Sequence, residues 1–164
     1  MSLPEHSADK ATSPTLVRTA NIHDVPAIHA LLDSYAQMGN VLPRPMNEIY
    51  RHLRDFFVIE TGGEVVACAA LEIFTESLGE VRSLVIQEKH KQQGLGKLLV
   101  EQILKEARLI GLSRLMALTY VPEFFIKLGF KEVSKDTLPE KVWGICVKCY
   151  KYNRCDETAV LIEL

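Results

Sequence analysis

Apolar residues along this chain recur alternately at helical and at strand spacing, and their order predicts its elements. Asp24 and Pro26 open a helix carrying Ile28, Leu31, Leu32 and Tyr35 on one face, with Asp24 as N-cap, Pro26 tolerated in the first turn and Gly39-Asn40 as the stop. After Pro43-Arg44-Pro45, the stretch from Met46 to Arg54 reads as a second, short helix with Ile49 and Leu53 turned inward. Phe56 to Ile59 and Val65 to Leu71 are strand-like, and Thr61-Gly62-Gly63 joins them into a hairpin. A strand from Val81 to Ile86 follows, then a helix in which Leu98, Leu99, Ile103, Leu104, Ala107 and Leu109-Ile110 share a face. Leu115 to Leu118, a short helix from Glu123 to Lys127, Phe130 to Val133 and Ala159 to Ile162 complete the series. The order is ααββ, then βαβαββ.

With 164 residues and 48% hydrophobic content, the chain can bury a sizeable core without metal or disulfide help, so one α/β domain is expected over residues 15–164. Met1 to Pro14 is polar and reads as a flexible tail; it lacks the apolar centre of a signal peptide, which points to the cytoplasm. A net charge of −2 leaves no basic excess for neutralising many phosphates, so nucleic acid is not an expected partner. No apolar run reaches the roughly 20 residues of a membrane span, and no membrane association is expected.

Between the strand at Val81 and the long helix stands Lys91-Gln92-Gln93-Gly94-Leu95-Gly96-Lys97. A helix start leaves about four N–H groups without intrahelical partners at its positive dipole end, and Gly94 and Gly96 leave that end free of side chains for an anion. The dinucleotide fingerprint needs a third glycine where Leu99 stands, and a Walker loop needs a glycine at Lys91 and a Ser or Thr at Leu98. Both fail. A helix start with incidental glycines is the plain alternative.

The spacing resembles the pyrophosphate-binding signature Arg/Gln-x-x-Gly-x-Gly/Ala of the GNAT superfamily of N-acetyltransferases, with Lys91 keeping the charge of the first position. Phe124-Phe125-Ile126-Lys127-Leu128-Gly129-Phe130 resembles that superfamily's second landmark, a short helix ending in Leu-Gly-Phe, and the element order matches from about Val17 to the C-terminus. The resemblance implies a single-domain fold with a mixed, mostly antiparallel sheet, a splayed parallel pair of strands and helices on both faces. It implies acetyl-CoA as co-substrate. The backbone of Leu84, Val85 and Ile86 would pair with pantetheine, with the Val85 amide as oxyanion donor; the amides of Gln92, Gln93, Gly94, Leu95, Gly96 and Lys97, with the charges of Lys91 and Lys97, would take the phosphates. The three strand residues also read as ordinary core.

Glu80 occupies the position where many superfamily members carry a base that removes the ammonium proton; a solvated residue in a Gly-Glu turn is the other reading. Arg82 would share its strand face, orienting Glu80 or holding a substrate carboxylate. The superfamily often has a proton-donating tyrosine where this chain has Phe125, a residue expected beside the cofactor; Tyr120 is a replacement acid or an aromatic packed under the last helix.

Phe124-Phe125, Pro43-Arg44-Pro45, Arg51 to Phe57 and Leu138 to Trp143 resemble stand-alone amino-acid N-acetyltransferases of N-acetylglutamate synthase type. That resemblance implies a small-molecule amino acid substrate, L-glutamate or L-glutamine, acetylated in the first step of arginine biosynthesis, and a possible homodimer. The synthases' kinase-like domain for arginine feedback has no counterpart here, so regulation by that route is not expected. A substrate carboxylate calls for cations. Arg44, stiffened by its flanking prolines, and Arg82 rank first; Arg51 and Arg54, three apart on one expected helix, come second, with a solvated surface the alternative for each. Cys146, Cys149 and Cys155 form an incomplete zinc pattern, with Asp156 or a partner chain as a fourth ligand, while Cys68 reads as core. Two other functions remain open: transfer to another small amine or a protein N-terminus, for which an acidic groove would be expected, and a non-catalytic acetyl-CoA sensor.

Overall fold

The structure, a computed structural model, describes residues 15–39, 43–138 and 156–164. It opens with a strand, β1 (Val17–Thr19), that periodicity does not predict. Pairing creates it: Val17 lies opposite Ile59 and Thr19 opposite Phe57 on β2 (Phe56–Thr61). The entry to α1 (Val25–Gln37) also differs from expectation. The Asp24 side chain does not cap α1; it accepts from the Asn21 amide at 2.7 Å while Asn21 accepts from His23, a capping box around a preceding 3-10 turn. Asp24 also takes both ends of the Arg18 fork, at 2.7 and 2.9 Å.

The second helix, α2 (Met46–Arg51), stops at His52, and a separate 3-10 turn, Leu53–Asp55, leads into β2. Arg51 and Arg54 therefore do not share a helix. β2 turns into β3 (Glu64–Ile73) through Gly62 and Gly63, at φ +56° and +80°, which only glycine adopts without strain in a two-residue hairpin turn. β4 (Leu78–Ile86) starts earlier than expected, so Gly79 and Glu80 are strand residues and not a turn. Gly79 is there for space, since a Cβ would fall 2.7 Å from Leu112 Cδ1 and 3.1 Å from the Glu72 carbonyl oxygen.

The remaining elements are α3 (Leu95–Leu109), β5 (Arg114–Thr119), α4 (Pro122–Ile126), β6 (Lys131–Val133) and β7 (Thr158–Glu163). Among the described residues the sheet has the order β1-β2-β3-β4-β5-β7-β6, antiparallel throughout except between β4 and β5. One face packs on α3 and α4 through Leu99, Val100, Ile103, Ala107, Phe125 and Phe130; the other packs on α1 and α2 through Val25, Ile28, Leu32, Ile49 and Phe56. Helices thus cover both faces. No helix among the described residues is long and apolar enough to cross a membrane.

Candidate functional site

The parallel pair is short. Leu78 to Glu80 run opposite Arg114 to Met116, and beyond Glu80 the two strands part while β4 continues to Ile86. Along that stretch β4 carries an extra residue: Arg82 lies opposite Ala70 and Val85 opposite Cys68, so three steps on β4 answer two on β3. Ser83 sits within this bulge at φ +54°, a left-handed conformation unusual for serine.

The bulge decides which backbone groups face the gap. The Gln87 amide donates to the Val66 carbonyl at 2.7 Å, so Ala67 and Ile86 form a non-hydrogen-bonded pair and Ile86 turns its N–H and C=O away from β3. Val85, one residue back, turns its own toward Cys68 on β3. This corrects the assignment of the Val85 amide as oxyanion donor. Without the extra residue Val85 would stand opposite Ala67 at the open edge; with it, Ile86 does. The Val85 side chain is core, and Leu84 and Ile86 pack on the α3 side.

The loop after β4 has the shape of an anion cradle. Gln92 and Gly94 have φ of +62° and +78°, a sequence of left-handed turns that points successive amides to one side. Gly94 is the N-cap of α3 with no side-chain cap, and the Leu98 amide is the first to close on it, at 3.2 Å. The amides of Leu95, Gly96 and Lys97 are left for a ligand at the positive end of the helix. The two glycines differ in what they provide. A Cβ on Gly94 would meet nothing within 4 Å, whereas one on Gly96 would stand 3.2 Å from Phe124 Cζ, so Gly96 serves the packing of α3 on α4. Lys91 Nζ lies 2.9 Å from Glu88 and 5.0 Å from the centre of the Tyr35 ring, and these neighbours raise its pKa. Gln93 Oε1 is 3.4 Å from His90 Nδ1, and Lys97 projects outward near Glu101. These groups fit a phosphate-bearing ligand whose chain runs along the open edge of β4.

On the α1 side, beside the fork, buried charges gather. Arg44 is 6% exposed; its Nη1 donates to Ser83 Oγ at 3.1 Å, its guanidinium lies 5.1 Å from the centre of the Phe56 ring, and Glu48 is 3.8 Å from Nη2. Its Nε is buried without a hydrogen-bond partner among the described residues. Burial, and then the nearby Arg82, push the Arg44 pKa down. Arg82 donates to Glu72 at 2.6 Å and its Nε is 4.0 Å from Glu80 Oε2; burial opposes its charge, but Glu80 and Glu72 hold its pKa above the usual value. Glu80, 3% exposed, faces Glu72 directly across the ladder, so the two carboxylates share Arg82.

The other predicted residues fall elsewhere. Arg51 and Arg54 are exposed. Phe125 is in the core, edge-on to Phe124 and Phe130. Tyr120, just past β5, is 40% exposed. Cys68 is buried, and burial pushes its thiol up to about 12. Cys146, Cys149 and Cys155 lie outside the described residues, as do the tail to Pro14 and Asn40; among the described residues no group of three or more metal-ligating side chains occurs. Sequence reasoning did not find Glu72, Ser83 or Tyr35 as site residues. Glu72 carries a signal only once its register against Glu80 is known.

A sheet that parts beside an amide nest, with a buried carboxylate at the fork, is the architecture of a transferase taking its group from a nucleotide-bearing cofactor. A model of the acetyltransferase (GNAT) family matches residues 25–130. An uncharacterised N-acetyltransferase of Chlorobaculum tepidum is 37% identical over 150 residues, covering 92% of this chain and 97% of that protein. The amino-acid acetyltransferase of Mycobacterium tuberculosis is 33% identical, covering 82% of this chain and 79% of the relative. N-acetylglutamate synthase from Neisseria gonorrhoeae, solved with coenzyme A and N-acetyl-glutamate, superimposes with a TM-score of 0.82 at 31% identity over 93% of this chain, which spans 35% of the synthase. The chain belongs to the acetyltransferase (GNAT) family and is an acetyltransferase.

Proposed function

We propose that this protein transfers the acetyl group of acetyl-CoA to the α-amine of a small amino acid, L-glutamate or L-glutamine, in the first step of arginine biosynthesis. The observation that carries the acceptor assignment is Arg44: a guanidinium 6% exposed, whose Nε has no hydrogen-bond partner among the described residues, beside Arg82 and the base candidate Glu80. A buried cation with a donor to spare is a receptor for a carboxylate. The M. tuberculosis relative, named an amino-acid acetyltransferase, supports the same class of acceptor.

Acetyl-CoA supplies an activated thioester. Lys91 and the amides of Leu95 to Lys97 hold its phosphates, and the open edge of β4 at Ile86 offers an N–H and a C=O to its amide-bearing arm. Arg44, with Arg82, fixes the substrate carboxylate. Glu80 takes a proton from the substrate ammonium, directly or through water, and Arg82 steadies the carboxylate as its charge changes. Amides on the open edge of β4 face the charge that develops on the acetyl oxygen. Phe125 offers no hydroxyl to the departing thiol, whose acidity, with a pKa near ~8.5, makes such help dispensable.

The test is thiol release from acetyl-CoA with each standard amino acid. Turnover confined to glutamate or glutamine is expected. Equal turnover of amines lacking a carboxylate would refute the arginine receptor, and saturable acetyl-CoA binding without any turnover would leave a sensor module.

A further inference from the structure

One α1 side chain touches both ends of the segment that carries β4 into the phosphate loop. The Tyr35 hydroxyl donates to the Ile86 carbonyl at 2.7 Å, and the Tyr35 ring lies 5.0 Å below the Lys91 ammonium. Ile86 is the residue whose polar groups face the open edge, and Lys91 is the first residue of the cradle. Between them lie Gln87 and the 3-10 turn Glu88–His90, so Tyr35 bridges the base of a short chain loop. Its ring is half buried against the α1-side core, which fixes where the hydroxyl and the ring face can be.

We propose that Tyr35 is a positioning residue for the cofactor: its hydroxyl sets the direction of the Ile86 carbonyl, and its ring holds the Lys91 ammonium at the mouth of the amide nest. A carbonyl oxygen has two lone pairs, so Tyr35 takes one and leaves the other for a ligand amide. The cation over the ring face, with Glu88 at 2.9 Å, is restrained before any phosphate arrives, which lowers the ordering cost of binding. The inference rests on the reading above only in placing coenzyme A along β4.

Calorimetric titration with CoA, on the wild type and on Tyr35→Phe and Tyr35→Leu, tests it. Tyr35→Phe keeps the ring and loses the hydroxyl, so Kd for CoA rises about five-fold, the equivalent of one net hydrogen bond. The KM for acetyl-CoA rises with it, while kcat and the KM for L-glutamate stay within about twofold. Tyr35→Leu also frees Lys91 and weakens CoA about ten-fold or more, with a shallower salt dependence. A wild type that binds CoA while both variants bind it equally well overturns the inference alone, as does a rise in the glutamate KM in step with that for acetyl-CoA. A wild type that binds no CoA overturns the functional reading with it. Should Tyr35→Leu unfold, Tyr35→Phe carries the test.

Discussion

Replacing Gly94 and Gly96 by alanine, one at a time, separates two roles of glycine in one loop. Gly94 sits at φ +78°, ψ 11°, with open space where a Cβ would go. Alanine there has room but the wrong backbone, since the left-handed well costs an L-residue about 1–2 kcal/mol. At about 2–4 °C per kcal/mol for a domain of this size, Tm falls by about 2–8 °C. If the chain relaxes instead, the amides of the nest turn, and losing one charge-assisted hydrogen bond of about 1.5–3 kcal/mol weakens CoA about ten-fold or more. Gly96 has no such conformational demand. An alanine Cβ there lands 3.2 Å from Phe124 Cζ and 3.4 Å from Cε2, an overlap that a small ring shift relieves. Against it stands a gain in helix propensity of up to about 1 kcal/mol. The two nearly cancel, so Tm stays within about 2 °C and CoA affinity within about threefold. Thermal melts and CoA titrations on both variants decide. Wild-type affinity and Tm in Gly94→Ala would remove the nest, and an equal loss of affinity in both variants would place the anion over Gly96.

Three further outcomes follow from the charges. Glu80→Gln lowers kcat/KM about 10²- to 10⁴-fold near neutrality, and the deficit shrinks as pH rises and free amine becomes abundant; a pH-independent deficit would take Glu80 out of proton transfer. Arg44→Lys keeps a cation but not the fork, so the KM for the amino acid rises about ten-fold while that for acetyl-CoA is unchanged; equal rises would point to a general distortion. Asp24 is held below the usual carboxylate range, chiefly by hydrogen bonds from Arg18, so its stabilisation is present above the unfolded pKa of about 3.9 and is lost as pH falls through the folded value. Asp24→Asn therefore costs about 1–3 kcal/mol at pH near 7, and in urea melts its gap to wild type narrows steadily as pH falls below the unfolded pKa of about 3.9.

Most of the fold was legible because the decisive patterns are local. The apolar face of α3 and the Gly62-Gly63 turn each announce their element within a few residues. β1 is too short for alternation to register, and its partner on β2 is remote in the chain. The bulge left no trace: Arg82-Ser83-Leu84 contains no glycine, yet Ser83 adopts φ +54°, and that one residue moves the open-edge position from Val85 to Ile86. Periodicity places Tyr35 on the apolar face of α1 but says nothing of its hydroxyl, whose role depends on a carbonyl 51 residues away. Glu80 and Arg82 were found together because strand alternation places them on one face, but that Glu72 shares the same arginine is a matter of register.

The place of β7 in the sheet bears on how the chain is made. β7 lies between β5 and β6, and β6 has no other partner strand among the described residues. As the chain leaves the ribosome, β5 can join β4 along three residues but presents its far side, with the apolar Leu115, Met116 and Ala117, as an open edge. That edge closes once Thr158 to Glu163 have emerged and slotted in, so among the described residues the sheet is completed by a strand made well after β5 and β6. During that interval the nascent chain depends on speed or on chaperones to avoid pairing with other strands.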